Sequence, residues 1–406
     1  MPPRLQGMAT AWCWLFRDGK LVGRAETNQA HLAPIDGLRC GLALWVALDH
    51  GFQTSGYVTL KGPLAWINRG SDAVAVFMIV SGFVIAQLLM RGGETYGQFI
   101  TRRFFRLYPI YVVCCVFSLC VSGLRADVMH HVPWRSLAPL VDSISHQTAV
   151  LFWPHVAAHA VMLHGAIPNE ILPHSALTIL GPAWSISLEW QFYLVAPLVF
   201  VMLKPAWRLA GLLAVVAAFY VLFRKGYLGT YDAASSLAGS SPWFAVGIAS
   251  RLAYDRLRQW PLPALPVSAL AVVGLVLLPW HVLPLMIWAP FYAFLVWGGA
   301  SRAGAVFSLV TTNPVSLVIG SASYSLYLIH QPAQTVAAWL ALRARPQISQ
   351  HQMLAVQMGA ILVAVLVALV LRRFIEKPGI ELGRWLANGG SSRPWPASSP
   401  AQAPSG

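Results

Sequence analysis

The sequence predicts an all-α fold: a polytopic membrane helical bundle of about ten transmembrane helices, with both termini in the cytoplasm. Three observations carry that prediction. Hydrophobic residues make up 57% of the 406 residues and charged residues only 10%, against about 25% charged in soluble domains. The mean hydropathy is +0.60, and the apolar residues gather into windows of roughly 20 residues, the length that crosses hydrocarbon as a helix. Lysine and arginine are also shared unequally between alternate connecting segments.

The windows fall at 35–53, 71–90, 107–124, 184–203, 207–223, 239–254, 262–280, 283–299, 314–339 and 353–371. The first is apolar apart from Asp36, Arg39, Asp49 and His50, and the second is built on the run Ala73 to Val80. A basic inner loop with Arg102, Arg103 and Arg106 leads into the third, and Trp184 opens the fourth. The windows from 207 to 299 carry few charges, the ninth holds a polar stripe from Ser323, and Arg372, Arg373 and Lys377 close the tenth. With the N-terminus inside, twenty of the 28 Lys and Arg residues fall on inner segments. The outer eight are Lys61, Arg69, Arg125, Arg135, Arg224, Lys225, Arg343 and Arg345. That is the positive-inside pattern.

A further apolar run at 148–164 contains His155, His159, His164 and a central Pro154. Counting it as a span would invert everything after it and place the Arg372/Arg373/Lys377 cluster outside, so it reads as re-entrant or interfacial. Its histidines have metal-like spacing but no HExxH-type carboxylate; they read as outer-surface or interfacial residues, and no metal is expected. The net charge of +14 is mostly this orientation signal, so no nucleic-acid partner is expected. Cys13, Cys40, Cys114, Cys115 and Cys120 show no paired spacing and read as inert thiols. The organisation is a cytoplasmic segment at 1–33, a membrane domain at 34–387, and a Ser/Pro/Gly/Ala-rich tail at 388–406 that cannot bury a core and should be disordered.

An ionisable side chain inside hydrocarbon is expensive and points to function by default. His50 follows Arg39 by eleven residues, roughly 16 Å along a helix, so the arginine belongs near the inner face and the imidazole deeper or nearer the outside. Arg103 and Arg106, three apart, face the same way on a helical turn, and paired guanidiniums suit phosphate; lipid headgroups are the alternative. Glu189, in Trp184-Ser-Ile-Ser-Leu-Glu189-Trp-Gln-Phe-Tyr193, needs a partner; His50 at a similar outward depth or an arginine are the candidates, with a structural clamp between helices as the alternative. Ser81-Gly82-Phe83 suits close helix packing. Tyr324, Tyr327 and His330 share one helix face and line either a cavity or a seam of the bundle.

Taken together, these segments resemble the acyltransferase 3 family of integral-membrane O-acyltransferases, from about Ile35 to Pro378. Five elements carry the resemblance: Asp36-Gly37-Leu38-Arg39 with His50; Phe77-Met-Ile-Val-Ser81-Gly82-Phe83-Val-Ile85; Arg103-Phe-Phe-Arg106-Leu-Tyr-Pro109; Trp184 to Tyr193; and Tyr324-Ser-Leu-Tyr327-Leu-Ile-His330. Asp49 departs from the family's usual apolar or aromatic residue and could shift the titration of His50; Met78 replaces a common Phe. The resemblance implies a multi-pass protein of the bacterial inner (plasma) membrane. It further implies that an acyl group, usually acetyl, moves from cytoplasmic acyl-CoA to a hydroxyl of a surface or exported carbohydrate or glycoconjugate. His50 and Glu189 would then be catalytic, with Arg39, Arg103 and Arg106 binding the donor. Ser81, Trp184, Tyr193, Tyr324, Tyr327 and His330 would form the substrate cavity. The competing class is a transporter or flippase for a glycan or lipid-linked saccharide, against which stands the lack of paired broken helices in corresponding halves of the chain.

Overall fold

The structure is a computed structural model that describes residues 33–203, 205–259, 282–298 and 302–390. The window at 262–280, Cys13, nearly all of 1–33 and the tail beyond Gly390 lie outside the described residues. Among the described residues every long regular element is a helix. In chain order these are α1 (Ala33–Thr54), α2 (Gly70–Arg91), α3 (Tyr96–His131), α4 (Ala138–Val150), α5 (Phe152–Ala160), α6 (Trp184–Met202) and α7 (Ala206–Arg224). They continue with α8 (Leu237–Leu257), α9 (Leu283–Trp297), α10 (Arg302–Thr311), α11 (Pro314–Ser321), α12 (Ser323–Ala344), α13 (Gln350–Leu371) and α14 (Lys377–Ala387).

Five segments are long and apolar enough to cross a membrane: Gly70–Arg91, Tyr96–His131, Gly181–Met202, Ala206–Arg224 and Gln350–Ala387. The pair Gly304–Thr311 and Pro314–Ser321, bent by 54°, would make six. The shortfall from the ten windows has physical causes. Helices α1 and α12 have 22 residues each but trade apolar residues for polar ones along a face they share. At 15 residues α9 is short, about 22 Å at 1.5 Å per residue. No residue of apolar α7 is buried among the described residues, although it packs against α8; a helix apolar on every side suits a lipid-facing position.

Local chemistry sets the ends that matter. A capping box, with Thr95 and Gln98 exchanging hydrogen bonds between side chain and backbone, starts α3 well before its apolar stretch. Arg102, Arg103 and Arg106 therefore stand on the first turns of α3 and not in a loop. The 36 residues of α3 reach about 54 Å, well beyond the ~30 Å hydrocarbon core. The ninth window is not one helix: it breaks at Ala322 between α11 and α12. The run at 148–164 is the end of α4 and the nine-residue α5, too short to span.

Helix α1 lies inside the bundle against α2, α11, α12 and α13, and the most extensive helix pairing is α2 with α8. Glycines make these approaches close. A Cβ on Gly247 of α8 would collide with the Ile79 carbonyl and lie 2.7 Å from the Phe83 amide nitrogen of α2. A Cβ on Gly82 would collide in turn with the Phe244 backbone, and Gly37 and Gly320 meet backbone of α10 and α1 in the same way. Such contacts are how membrane helices gain packing without a hydrophobic driving force between them.

Gly247→Leu is expected to destabilise the bundle by more than about 2 kcal/mol, the upper part of the overpacking range, because backbone cannot give way. Gly41→Ala, whose Cβ meets nothing within 4 Å, should leave the melting temperature in detergent unchanged. Equal melting of both variants and the parent would contradict the packing described.

Candidate functional site

Helices α1 and α12 bring two imidazoles together. His50 Nδ1 and His330 Nε2 lie 2.8 Å apart, with the rings stacked at a 5.0 Å centroid separation and 14° between planes. His330 is fully buried, whereas His50 keeps part of its surface accessible. One turn earlier, Tyr327 Oη receives the Ser185 hydroxyl hydrogen bond at 2.8 Å and donates to the Pro182 carbonyl at 3.1 Å. Tyr324 Oη donates to the Leu107 carbonyl at 2.9 Å. The stripe of α12 is thus a seam: Tyr324 faces α3, Tyr327 faces the start of α6, and His330 faces α1.

Glu189 has other partners. The Ser81 hydroxyl donates to its Oε1 at 3.2 Å, and the Tyr193 hydroxyl donates to the same oxygen. Tyr193 in turn lies under the Arg103 guanidinium, 6.0 Å from its carbon to the ring centroid. Glu189 stands one turn past Ser185, and His330 one turn past Tyr327 in the opposite direction. The carboxylate and the imidazole pair are therefore separated by roughly two turns, ~11 Å. Glu189 sits toward the arginine end and not level with His50, which corrects the outward depth expected of it. Within Ser81-Gly82-Phe83, Ser81 serves the carboxylate while Gly82 serves packing.

Two cavities flank this seam. A cleft of about 230 Å³ is lined by Leu88, Glu94, Arg102, Arg103, Arg106, Ile380, Arg384 and Asn388. Arg102 pairs with Glu94 and donates to the Asn388 side chain at 2.7 Å. Arg103 and Arg106 form no ion pair among the described residues. Asn388, the first residue of the tail predicted to be disordered, is thereby held, and Arg384 was not singled out by any motif. Gly379 and Gly383 lay α14 onto Phe105 of α3, which brings both into the cleft. Arg39 lies outside it, half-buried, with an Nε that has no partner. The second cavity, about 420 Å³, lies between α3, α4 and α12 and is walled by Ser118, Ser122, Arg125, Ser145, Thr148, Gln331 and Thr335 among others. Ser81, Trp184, Tyr193, Tyr324, Tyr327 and His330, expected to line a substrate cavity, line neither. Four of them are buried, and Trp184 and Tyr324 are half-buried against the core.

The remaining polar groups differ in part from expectation. His155, His159 and His164 are buried and not surface residues: the His159 and His164 rings stack 3.9 Å apart, and Tyr111 donates to the His159 carbonyl at 3.1 Å. No group able to hold a metal ion occurs among the described residues. Cys40, Cys114 and Cys115 are buried free thiols, but Cys120 is exposed. Asp49 turns away from His50, accepting from Gln53 at 2.8 Å and from the Gly70 amide at 3.1 Å, so it ties the end of α1 to the start of α2.

The sequence that builds this bundle matches a known family. The chain belongs to the acyltransferase family whose model, described as an acyltransferase domain, matches residues 32–373. It is similar to the exopolysaccharide production protein ExoZ of Rhizobium meliloti (strain 1021), at 27% identity over 327 residues covering 78% of this chain and 91% of ExoZ. BcsY of Komagataeibacter xylinus, named as a membrane-bound transacylase, is 24% identical over 367 residues, 86% of this chain and 82% of BcsY. The acyltransferase MdmB of Streptomyces mycarofaciens is 24% identical over 225 residues, about half of each chain. No solved structure matches the chain.

Asp49→Asn weakens charge-assisted hydrogen bonds at the α1–α2 corner and is expected to cost about 1–2 kcal/mol of stability. The pH dependence of acyl transfer should stay where it was. A displaced pH profile with unchanged thermal stability would instead mean that the carboxylate acts on His50.

Proposed function

We propose that this protein is a multi-pass O-acyltransferase of the bacterial plasma membrane. It moves an acyl group, acetyl in the first instance, from cytoplasmic acyl-CoA to a hydroxyl of a surface or exported carbohydrate, with His50 as general base. The observation that carries this reading is the half-buried His50, held by buried His330 between an arginine-lined cleft and a hydroxyl-lined cavity. Residues 34–387 form the acyltransferase domain in this reading, the N-terminus is cytoplasmic, and the cleft opens inward.

The chemistry follows from the ring nitrogens. His330 Nδ1 is buried with no hydrogen-bond partner among the described residues; in this reading it carries the proton of the neutral ring. Nε2 of His330 is then an acceptor, His50 Nδ1–H donates to it, and His50 Nε2 is left with its lone pair free. As the sugar hydroxyl adds to the thioester carbonyl, Nε2 takes its proton. Collapse of the tetrahedral intermediate breaks the carbon–sulfur bond, and the departing thiolate takes the proton back, which regenerates neutral His50 and releases CoA. Arg103, Arg106 and Arg384 hold donor phosphates with their fixed donor forks, and Arg39, near the start of α1, lies outside that cleft. Glu189, Ser81 and Tyr193 keep the wall of that cleft in place beside Arg103. ExoZ, by its name a protein of exopolysaccharide production, supports a polysaccharide acceptor.

His50→Ala should abolish transfer from labelled acetyl-CoA to glycan, by about 10²-fold or more for a lost general base, at normal membrane abundance. Near-normal glycan acylation in that variant would sink the assignment. His330→Gln, which can still offer an oxygen to His50 Nδ1–H, should retain more activity than His330→Leu; equal loss would mean that His330 does not act through His50. Arg106→Ala should raise KM for acetyl-CoA about 10-fold, as expected for one charge-assisted contact, with kcat little changed.

A further inference from the structure

The 420 Å³ cavity has an electrostatic feature that the chemistry above does not use. Arg125 stands in its wall, half-buried, and forms no ion pair among the described residues. The acids at this end of the bundle are all engaged elsewhere. Asp127 accepts from Trp339 at 2.8 Å and faces His131 and Arg343. Asp142 meets His130, Asp232 meets His174, and Glu170 accepts from Thr230. Asp72 is paired with Arg69, and Asp49 is held by Gly70 and Gln53. A guanidinium taken partly out of water and given no counter-charge by its own chain is costly, and its planar fork matches a carboxylate or phosphate in two parallel bonds.

The rest of the cavity fits a sugar. Its volume lies in the range of ligand sites, about 300–1,000 Å³, and Ser118, Ser122, Ser145, Thr148 and Gln331 supply hydroxyl and amide groups. The Ser118 hydroxyl donates to the Ile179 carbonyl at 2.5 Å, and that of Thr148 to the Ile144 carbonyl at 2.7 Å, so each oxygen still offers lone pairs to a donor such as a sugar hydroxyl. Gln331 follows His330 directly in α12, and Arg125 lies within electrostatic range of His50.

We propose that this cavity is the acceptor site and that it selects a saccharide carrying an anionic group, a carboxylate or a phosphate, which Arg125 holds while a neighbouring hydroxyl reaches His50. This rests on the acyltransferase reading above and narrows its acceptor. The test uses the full-length protein in phosphatidylcholine liposomes with labelled acetyl-CoA. Glycans extracted from the producing cells are separated by anion exchange into neutral and acidic fractions. Label is expected in the acidic fraction. Carboxyl reduction of that fraction should remove its acceptor activity if the anion is a carboxylate, and phosphatase treatment should do so if it is a phosphate. Arg125→Gln should raise KM for the acidic fraction about 10- to 100-fold, the range of a lost charge-assisted bond, with kcat within about threefold. Arg125→Lys should recover part of that loss, which guards against a folding defect.

Label mainly in the neutral fraction overturns the proposal and leaves the acyltransferase reading standing. An equal loss for both fractions in Arg125→Gln also overturns it, since Arg125 would then act on the reacting atoms or on the fold. If the substitution alters only the response to added phosphatidylglycerol, the anion is a lipid headgroup and the proposal again fails. Label in neither fraction removes the acyltransferase reading itself.

Discussion

An imidazole inside hydrocarbon must be satisfied by another group of the bundle, and His50 finds His330, 280 residues away in the chain. Two neutral rings meet each other's needs without placing a charge in a low dielectric, which a histidine–carboxylate pair could not do without a desolvation penalty of several kcal/mol. The contact fixes how α12 is rotated about its own axis relative to α1. Gln334, one turn on, donates to the Ala47 carbonyl at 2.8 Å, and Gly51 leaves room for the Gln334 and Gln357 side chains. With that rotation set, Tyr327 is aimed at α6 and Tyr324 at α3. Three helices are therefore oriented by one polar stripe.

Carboxylates are sorted away from this seam. Glu189 lies by Tyr193 and Arg103, while Glu376, buried, accepts from the Ser325 hydroxyl at 2.7 Å and lies 3.9 Å from Arg372. Both sit at the end of the bundle where arginines are dense. Negative side chains there lower the self-repulsion of Arg103, Arg106, Arg372 and Arg384 without neutralising it, because Glu94 is taken by Arg102 and Glu189 by two hydroxyls. What remains is a net cationic cleft suited to phosphates, with a charge-free pair of rings deeper inside.

Much of this was legible in the sequence, within definite limits. Hydropathy located most of the long helices among the described residues, because crossing hydrocarbon demands apolar runs of about 20 residues, but only five of them are long and apolar enough to span. It missed the first turns of α3, because arginines do not break a helix and only the Thr95 cap marks its start. Periodicity put Tyr324, Tyr327 and His330 on one face, but it carries no information about which helix that face meets. The sequence left His50 and an arginine both open as partners of Glu189 for this reason: span counting yields a side of the membrane, while partner choice depends on helix rotation and on depth to within a turn. His155, His159 and His164 were misjudged because three histidines in a short, Pro-broken segment look solvated; the sequence does not show that α5 folds back under Tyr111. Arg125 and Arg384 belong to no motif, and only the packing of α4 and α14 against α3 gives them a setting.

The length of α3 constrains the chemistry further. At about 1.5 Å per residue, Arg106 and Arg125 stand roughly 28 Å apart along it, nearly the thickness of the hydrocarbon core. The histidine pair lies between, since Tyr324 meets Leu107 near the first arginine and Gln331 borders the cavity of the second. A donor whose phosphates rest on Arg103 and Arg106 must therefore deliver its acyl carbon one to two helical turns or more away, ~10 Å or further. An acyl phosphate cannot, because its carbonyl is bonded directly to the phosphate oxygen. A thioester on a long flexible arm has that reach, with its charges left behind at the cleft. The separation of the arginines from the imidazoles, and not the arginines alone, is what favours the acyl-CoA donor proposed above over an acyl phosphate.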